Sequence, residues 1–263
     1  MRVDRDVPIP LYYQIADQLR NKVQTGELKP GQQIPPEREL TELFDVSRMT
    51  VHQAITYLVR LGVLTVRRGA GTFVAEPKFT HDTMRVVGFE EEVARQDGKV
   101  TSVVLENDLV EASETVQSFL NLEPGAEVYK IVRVRKAWGI PLVLETSNIP
   151  AALCPGLSDH DFSSHSLFTI LREEYGLEMF RTEQFLEAVG AVEYEARLLD
   201  LEPGSPLVLF DGVTYTAADV AVEYCRAMYR GDRFQFYARS TGTDDSSPLS
   251  LRLTSHQVSH RGR

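Results

Sequence analysis

The sequence predicts an α+β chain in two domains, a small helical one at the N-terminus and a larger one built on an antiparallel sheet. Three observations carry this reading. The 263 residues exceed what one small module needs and suffice for two separate cores. Apolar side chains recur at helical spacing before residue 62, whereas beyond residue 100 they fall mostly in strand-length blocks bounded by turn residues. The charge is also divided: residues 1–76 hold ten basic and nine acidic side chains and sum to +1, so the remainder carries −11.

In the first domain, Leu11, Ile15, Leu19 and Val23 follow Pro10 at fourfold spacing, which is one face of a helix ending near Gly26. Pro35 and Pro36 precede a second, short helix with Leu40, Leu43 and Phe44 as its apolar stripe. Ser47 is placed to cap a third helix to about Leu61, with Val51, Ala54, Ile55 and Leu58 inward and Arg48, Met49, His52, Gln53 and Thr56 outward. Gly62 stops it, and two short strands, 64–66 and 72–74, flank the basic, glycine-containing tip Arg67-Arg68-Gly69-Ala70-Gly71. No acidic residue lies between Asp45 and Glu76, so an acidic protein carries one local basic face. Three helices, a short second turn and a basic hairpin make a winged helix-turn-helix, whose third helix enters a DNA major groove.

The runs Pro35-Pro36-Glu37-Arg38-Glu39-Leu40, Phe44 to Val51 and Gly69 to Val74 resemble the DNA-binding domain of GntR-family bacterial repressors over residues 8–75. The resemblance implies DNA contacts from Arg38, Ser47, Arg48, Thr50 and Gly69, and the basic residues Arg67 and Arg68 extend that set into the wing. Met49 and His52 depart from the commonest pattern at positions on the DNA-facing side, where His52 is also expected to meet DNA.

Beyond the junction a helix is expected from about Met84 to Gln96, then a strand over 100–110. An internal echo follows: Leu122-Glu123-Pro124-Gly125 recurs as Leu201-Glu202-Pro203-Gly204, each after a short helical segment and before an apolar strand. Glu145 and Glu223 lie at nearly matching distances beyond the two turns and are read as counterparts. Alternation puts Arg133 and Arg135 on one face of a strand. Residue types alone favour a solvated face for them. With Glu145 and Glu223 they instead compose a candidate pocket for a polar, anionic metabolite, in which the two arginines repel each other until an anion arrives.

The segments Glu127 to Pro150, Ser166-Leu167-Phe168 and Val222 through Phe234 resemble the UTRA effector domain of the HutC branch of that family, with a chorismate-lyase-like fold. By that resemblance Phe89, Arg133, Arg135, Ser166, Phe168 and Tyr229 belong to the effector pocket with Glu145 and Glu223. Glu90 stands where sugar-phosphate sensors of the branch carry a hydroxyl. The implied effector is an amino-sugar phosphate first, with a carboxylate such as urocanate, or a basic or amide compound, as the alternatives.

The expected organisation is a DNA-binding domain over 1–76, a linker over 77–83 with its hinge at Glu76–His81, an effector and dimerisation domain over 84–240, and a disordered polar tail over 241–263. The expected partners are a palindromic double-stranded operator, a small-molecule effector and a second copy of the chain. Hydrophobic residues at 43% and charged ones at 25% are ordinary for a globular chain. No apolar run is long enough to cross a bilayer, and Met1–Pro10 has no apolar signal core, so a cytoplasmic protein without a membrane partner is expected. Cys154 and Cys225 lack metal or redox spacing, and so do His52, His81, His160, His165, His256 and His260. No nucleophile elbow, zinc motif or phosphate loop occurs, so no catalytic residue, metal or cofactor is expected. The alternative reading is a lyase-like enzyme tethered to a DNA-binding module.

Overall fold

The computed structural model describes residues 3–67, 69–83, 85–95 and 98–238. Arg68, the expected helix start at Met84 and the tail 241–263 lie outside the described residues. The chain forms two compact units, one ending at Phe79 and one beginning at Thr80.

The first unit contains α1 (Leu11–Gln24), α2 (Glu37–Phe44), α3 (Arg48–Arg60) and the hairpin β1 (Leu64–Arg67) with β2 (Gly71–Val74). Its core is the set of apolar stripes that the spacing marks, with Ile15, Leu40, Val51, Ala54 and Leu58 fully buried. Truncating one such leucine to alanine costs about 2–5 kcal/mol. Asp45, at a φ of 51°, ends α2 in the left-handed region and turns the chain sharply into α3. Ser47 then caps α3 by accepting the Thr50 backbone N–H at 3.2 Å. The hairpin is antiparallel from Leu64 opposite Val74 to Arg67 opposite Gly71, and Gln33 pins its tip by donating to the Ala70 carbonyl at 2.9 Å.

The second unit is organised by one antiparallel sheet of six strands. In chain order these are β4 (Val100–Glu111), β5 (Glu127–Ala137), β6 (Ile140–Pro150), β7 (Arg181–Gly190), β8 (Pro206–Tyr215) and β9 (Ala221–Arg230). In space the order is β4-β5-β6-β9-β8-β7, so each half of the chain contributes one edge strand and one hairpin. The helices α5 (Glu114–Leu120) and α7 (Glu193–Leu199) join edge strand to hairpin in each half. Both pack on the sheet face that carries Val128, Val132, Val134, Leu144 and Val213.

The echoed turns share their left-handed backbone positions. Asn121 and Asp200 end the two helices at φ of 50° and 55°, and Gly125 and Gly204 follow at 81° and 83°. The register shows, however, that Glu145 and Glu223 are not counterparts. Counting from the turns, Arg133 corresponds to Gly212; Arg133 lies opposite Glu145, and Gly212 lies opposite Cys225. Glu223 sits one pleat period away, opposite Thr214, because the paired Thr214 and Glu223 are separated by one residue more than the equivalent pair Arg135 and Val143. Alternation keeps both glutamates on the same face.

That opposite face is covered in two portions. Above β5 and β6, α6 (Leu167–Glu173) and two single 3-10 turns bury Tyr129, Ile131, Ile149, Phe162 and Leu171. Above β8 and β9 stands the small pair β3 (Phe79–Asp82) with β10 (Phe234–Tyr237), whose His81 and Phe236 rings meet Phe210 and Tyr229, and α4 (Phe89–Ala94) reaches β5 through Phe89 and Glu90 on Arg135. The helix expected from Met84 thus begins at Phe89, after Gly88 in extended conformation, and its first turn carries Glu90, Glu91 and Glu92. Three carboxylates favour a helix N-terminus there, since the backbone dipole presents positive charge at that end. Part of the expected linker is also a strand: β3 is stitched by Gln235 Nε2 donating to Thr80 Oγ1 at 2.8 Å and by the Thr83 N–H donating to the Tyr237 carbonyl at 3.1 Å.

Candidate functional site

On the first unit, α2 and α3 bring the expected DNA-facing residues to one exposed surface. The Arg38 and Arg48 side chains are 91% and 85% exposed. Glu37 at the start of α2 reaches the neighbouring helix, where one oxygen meets His52 Nδ1 at 2.8 Å and the other accepts from Arg48 Nε at 3.4 Å. The His52 contact, followed by partial burial that works the other way, leaves the Glu37 carboxyl below its ordinary value. Glu37 was absent from the sequence-derived set because its contacts lie eleven and fifteen residues away. Ser47 and Thr50 share their hydroxyls at 2.8 Å, so Ser47 serves the helix cap as well as the surface. In the wing, Arg67 lies over the Phe73 ring at 4.4 Å, and Gly69, at a φ of 75°, leaves the tip open.

On the second unit, all nine expected effector residues line one cavity of about 420 Å³, between the sheet and α4 and α6. Small-molecule sites span about 300–1,000 Å³. β5 and β6 supply Arg133, Arg135 and Glu145; β9 supplies Glu223 and Tyr229; α4 supplies Phe89 and Glu90; Ser166 and Phe168 stand at the start of α6. The cavity also takes in residues that sequence reasoning missed. Thr182 and Gln184 on β7 and Gly212 and Thr214 on β8 alternate along their strands, the only signal by which they were findable.

Arg133 and Arg135 are 2% and 1% exposed, which excludes the solvated-face reading. Nor do they stand opposed and unneutralised, as expected from two adjacent guanidiniums. Arg133 Nη2 donates to Glu145 Oε1, Arg135 Nη1 reaches the same oxygen at 3.4 Å, and Arg135 Nη2 donates to Glu90. Burial disfavours the ionised Glu145, but the two guanidiniums outweigh it and hold the carboxyl below its usual range. Burial likewise opposes the charge on Arg135, and Glu145 and Glu90 more than compensate. Phe162 and Phe89 wall the guanidiniums at 5.7 and 5.4 Å. Three buried guanidinium nitrogens, Arg133 Nε and Nη1 and Arg135 Nε, have no acceptor among the described residues.

Glu223 occupies a different portion of the cavity and is 3% exposed. Burial first, and then repulsion from Glu145, push its carboxyl up to about 7. Tyr229, raised well above its ordinary value by burial and then by Glu145, joins an aromatic cluster with His81, Phe210, Phe234 and Phe236. Ser166 precedes α6, and its hydroxyl does not cap that helix. No group of three His, Cys, Asp or Glu side chains among the described residues is arranged to hold a metal. No described helix is long and apolar enough to cross a membrane.

The comparisons agree with both units. Residues 11–74 match the family model of bacterial regulatory proteins, gntR family, and residues 95–235 match the UTRA domain. The HTH-type transcriptional repressor NagR of Bacillus subtilis is 35% identical over 236 residues, covering 90% of this chain and 97% of that one. The histidine utilization repressor of Pseudomonas aeruginosa is 29% identical, covering 89% and 92%. The crystal structure of PhnF from Mycobacterium smegmatis superposes with a TM-score of 0.62 at 30% identity, covering 88% and 99%. These likenesses overturn the alternative of a tethered lyase-like enzyme, since the relatives sharing the whole architecture are named as repressors. With an exposed helix-turn-helix surface on one unit and a polar cavity on the other, the chain belongs to the gntR family of bacterial regulators, as a DNA-binding transcriptional repressor that carries a UTRA domain.

Proposed function

We propose that this repressor releases its operator when a small anionic metabolite occupies the cavity around Arg133 and Arg135. The observation that carries the reading is the set of three buried guanidinium N–H donors without acceptors in a cavity of metabolite size. Buried donors left unmatched are costly, and an acceptor-rich ligand relieves that cost. An arginine pair also favours planar oxyanions, which accept two hydrogen bonds at once.

An amino-sugar phosphate suits the cavity best: its oxyanion meets the arginines, Ser166 donates beside them, and Glu145 and Glu223 take hydroxyls or an amine. Urocanate is the competing ligand, because Glu90 repels a singly charged carboxylate less than a doubly charged phosphate. In this reading Phe89, Phe168 and Tyr229 flank the ligand. A homodimer places two wings and two recognition helices on a palindromic operator, with Arg38, Ser47, Arg48, Thr50 and His52 toward the duplex and Arg67, Arg68 and Gly69 along its backbone. The stretch Glu76–His81 passes the change between units.

Isothermal titration with glucosamine 6-phosphate, N-acetylglucosamine 6-phosphate and urocanate tests the assignment. One of them binds the wild-type chain and loses binding in Arg133→Ala and Arg135→Ala, while Arg133→Ala retains operator affinity. An effector indifferent to both arginines overturns the reading.

A further inference from the structure

Half-buried His81 and buried Glu92 form a pair that neither the oxyanion chemistry nor the DNA surface uses. Glu92 is 7% exposed, and its two oxygens are both spent on β3: one meets His81 Nδ1, the other accepts the Asp82 N–H at 3.2 Å. A carboxylate is tolerated in such surroundings only when its lone pairs are matched. A single side chain therefore ties α4 to two successive residues of β3.

The His81 ring faces the cavity as well. It lines that cavity, stands edge-on to Phe210 at 5.5 Å and lies 5.5 Å from Tyr229. It is also only two residues beyond Phe79, where the N-terminal unit ends. The same helix is gripped a second time, by Glu90 on Arg135. A helix of six residues has no stability of its own and depends on such contacts. Taking Arg135 away from Glu90 removes one of the two grips and leaves the helix held through Glu92.

We propose that Glu92 and His81 are positioning residues that carry the state of the Arg135–Glu90 pair to β3 and so to the chain entering from the DNA-binding unit. The effector reading supplies what displaces Glu90 in the cell; the tie itself is testable with no effector present. Both E90Q and E92Q preserve side-chain shape while removing charge.

Hydrogen–deuterium exchange on the full chain reads the relay directly. E90Q speeds exchange across residues 79–83 at least about threefold, and in the E92Q background the same substitution leaves 79–83 unchanged while 89–94 still loosens. His81→Asn, whose amide reaches the place of Nδ1, keeps the response, and His81→Leu loses it. On a duplex selected from random DNA by the wild-type chain, E90Q shifts operator Kd at least about fivefold, and E92Q cancels the shift. A β3 segment indifferent to E90Q, equal responses in both backgrounds, or altered exchange with unaltered operator Kd each overturn the proposal. If none of the titrated metabolites needs the arginines, the effector assignment falls while the exchange result stands by itself.

Discussion

Arg135 on β5 is closed by Glu90 on α4, a carboxylate 45 residues away in the chain. The protein thus already holds an anion of its own against the guanidinium that its effector is proposed to meet. Incoming ligand competes with that carboxylate, and the outcome depends on the difference between two charge-assisted contacts rather than on either alone.

Glu90→Ser therefore tightens sugar-phosphate binding about tenfold, equivalent to about 1.4 kcal/mol. The same variant melts at lower temperature without ligand, because Arg135 loses a partner while 1% exposed. Sulfate at millimolar concentration restores part of the loss by binding only the folded state. Calorimetry and thermal melts check both, and unchanged affinity refutes the competition.

Arg133→Ala leaves Glu145 buried with one guanidinium in place of two, at a cost of about 3–5 kcal/mol when a buried pair is broken from one side. Replacing Glu145 by Gln in that variant recovers much of the loss, since the stranded charge disappears. Urea unfolding of the wild type, both single variants and the double variant decides it; strictly additive losses mean the pair contributes no coupling.

Glu223 gives the second unit a pH dependence. Its carboxyl is raised from the usual value to about 7 in the folded state, so the folded chain binds more protons than the unfolded chain between about 4.5 and 7. Stability is fully present below that window, falls as pH rises through it by about 3 kcal/mol, and levels off above. Glu223→Gln flattens this fall. Denaturant titrations at pH 5 and pH 8 supply the comparison, and an identical slope in the variant excludes Glu223 as its source.

On the DNA surface, Arg48→Ala weakens operator binding by about 1–3 kcal/mol and relaxes base preference. Arg67→Ala instead weakens all duplexes alike and lowers the salt slope by about one unit. Glu37→Gln releases His52 and Arg48 from their shared partner and changes which bases are preferred more than overall affinity. Anisotropy titrations across salt and across single-base operator variants separate these effects.

Much of this architecture was legible because it is local. The turns at 121–125 and 200–204 declare themselves through residues that tolerate left-handed backbone, and the stripes of α1 to α3 declare their buried faces. Strand alternation also placed Arg133 and Arg135 together. What stayed hidden was pairing across long separations: Glu37 with His52, Glu90 with Arg135, and the β3–β10 pair, whose strands lie more than 150 residues apart. Glu145 and Glu223 were matched by counting along the chain, and the sheet's register, set by pairing, moved them one pleat apart.

Gly212 stands where the duplication would put a second Arg133, and it admits no side chain: a Cβ there falls 2.2 Å from the Glu183 carbonyl oxygen and 2.6 Å from Gln184 Cα. β7 closes against the sheet only because that position is bare. The two halves have consequently diverged, one carrying the guanidinium and the other the close approach of β7. The cavity has a head and a tail, so a ligand with a single anionic end has one productive orientation, and a side chain at position 212 requires β7 to part from the sheet.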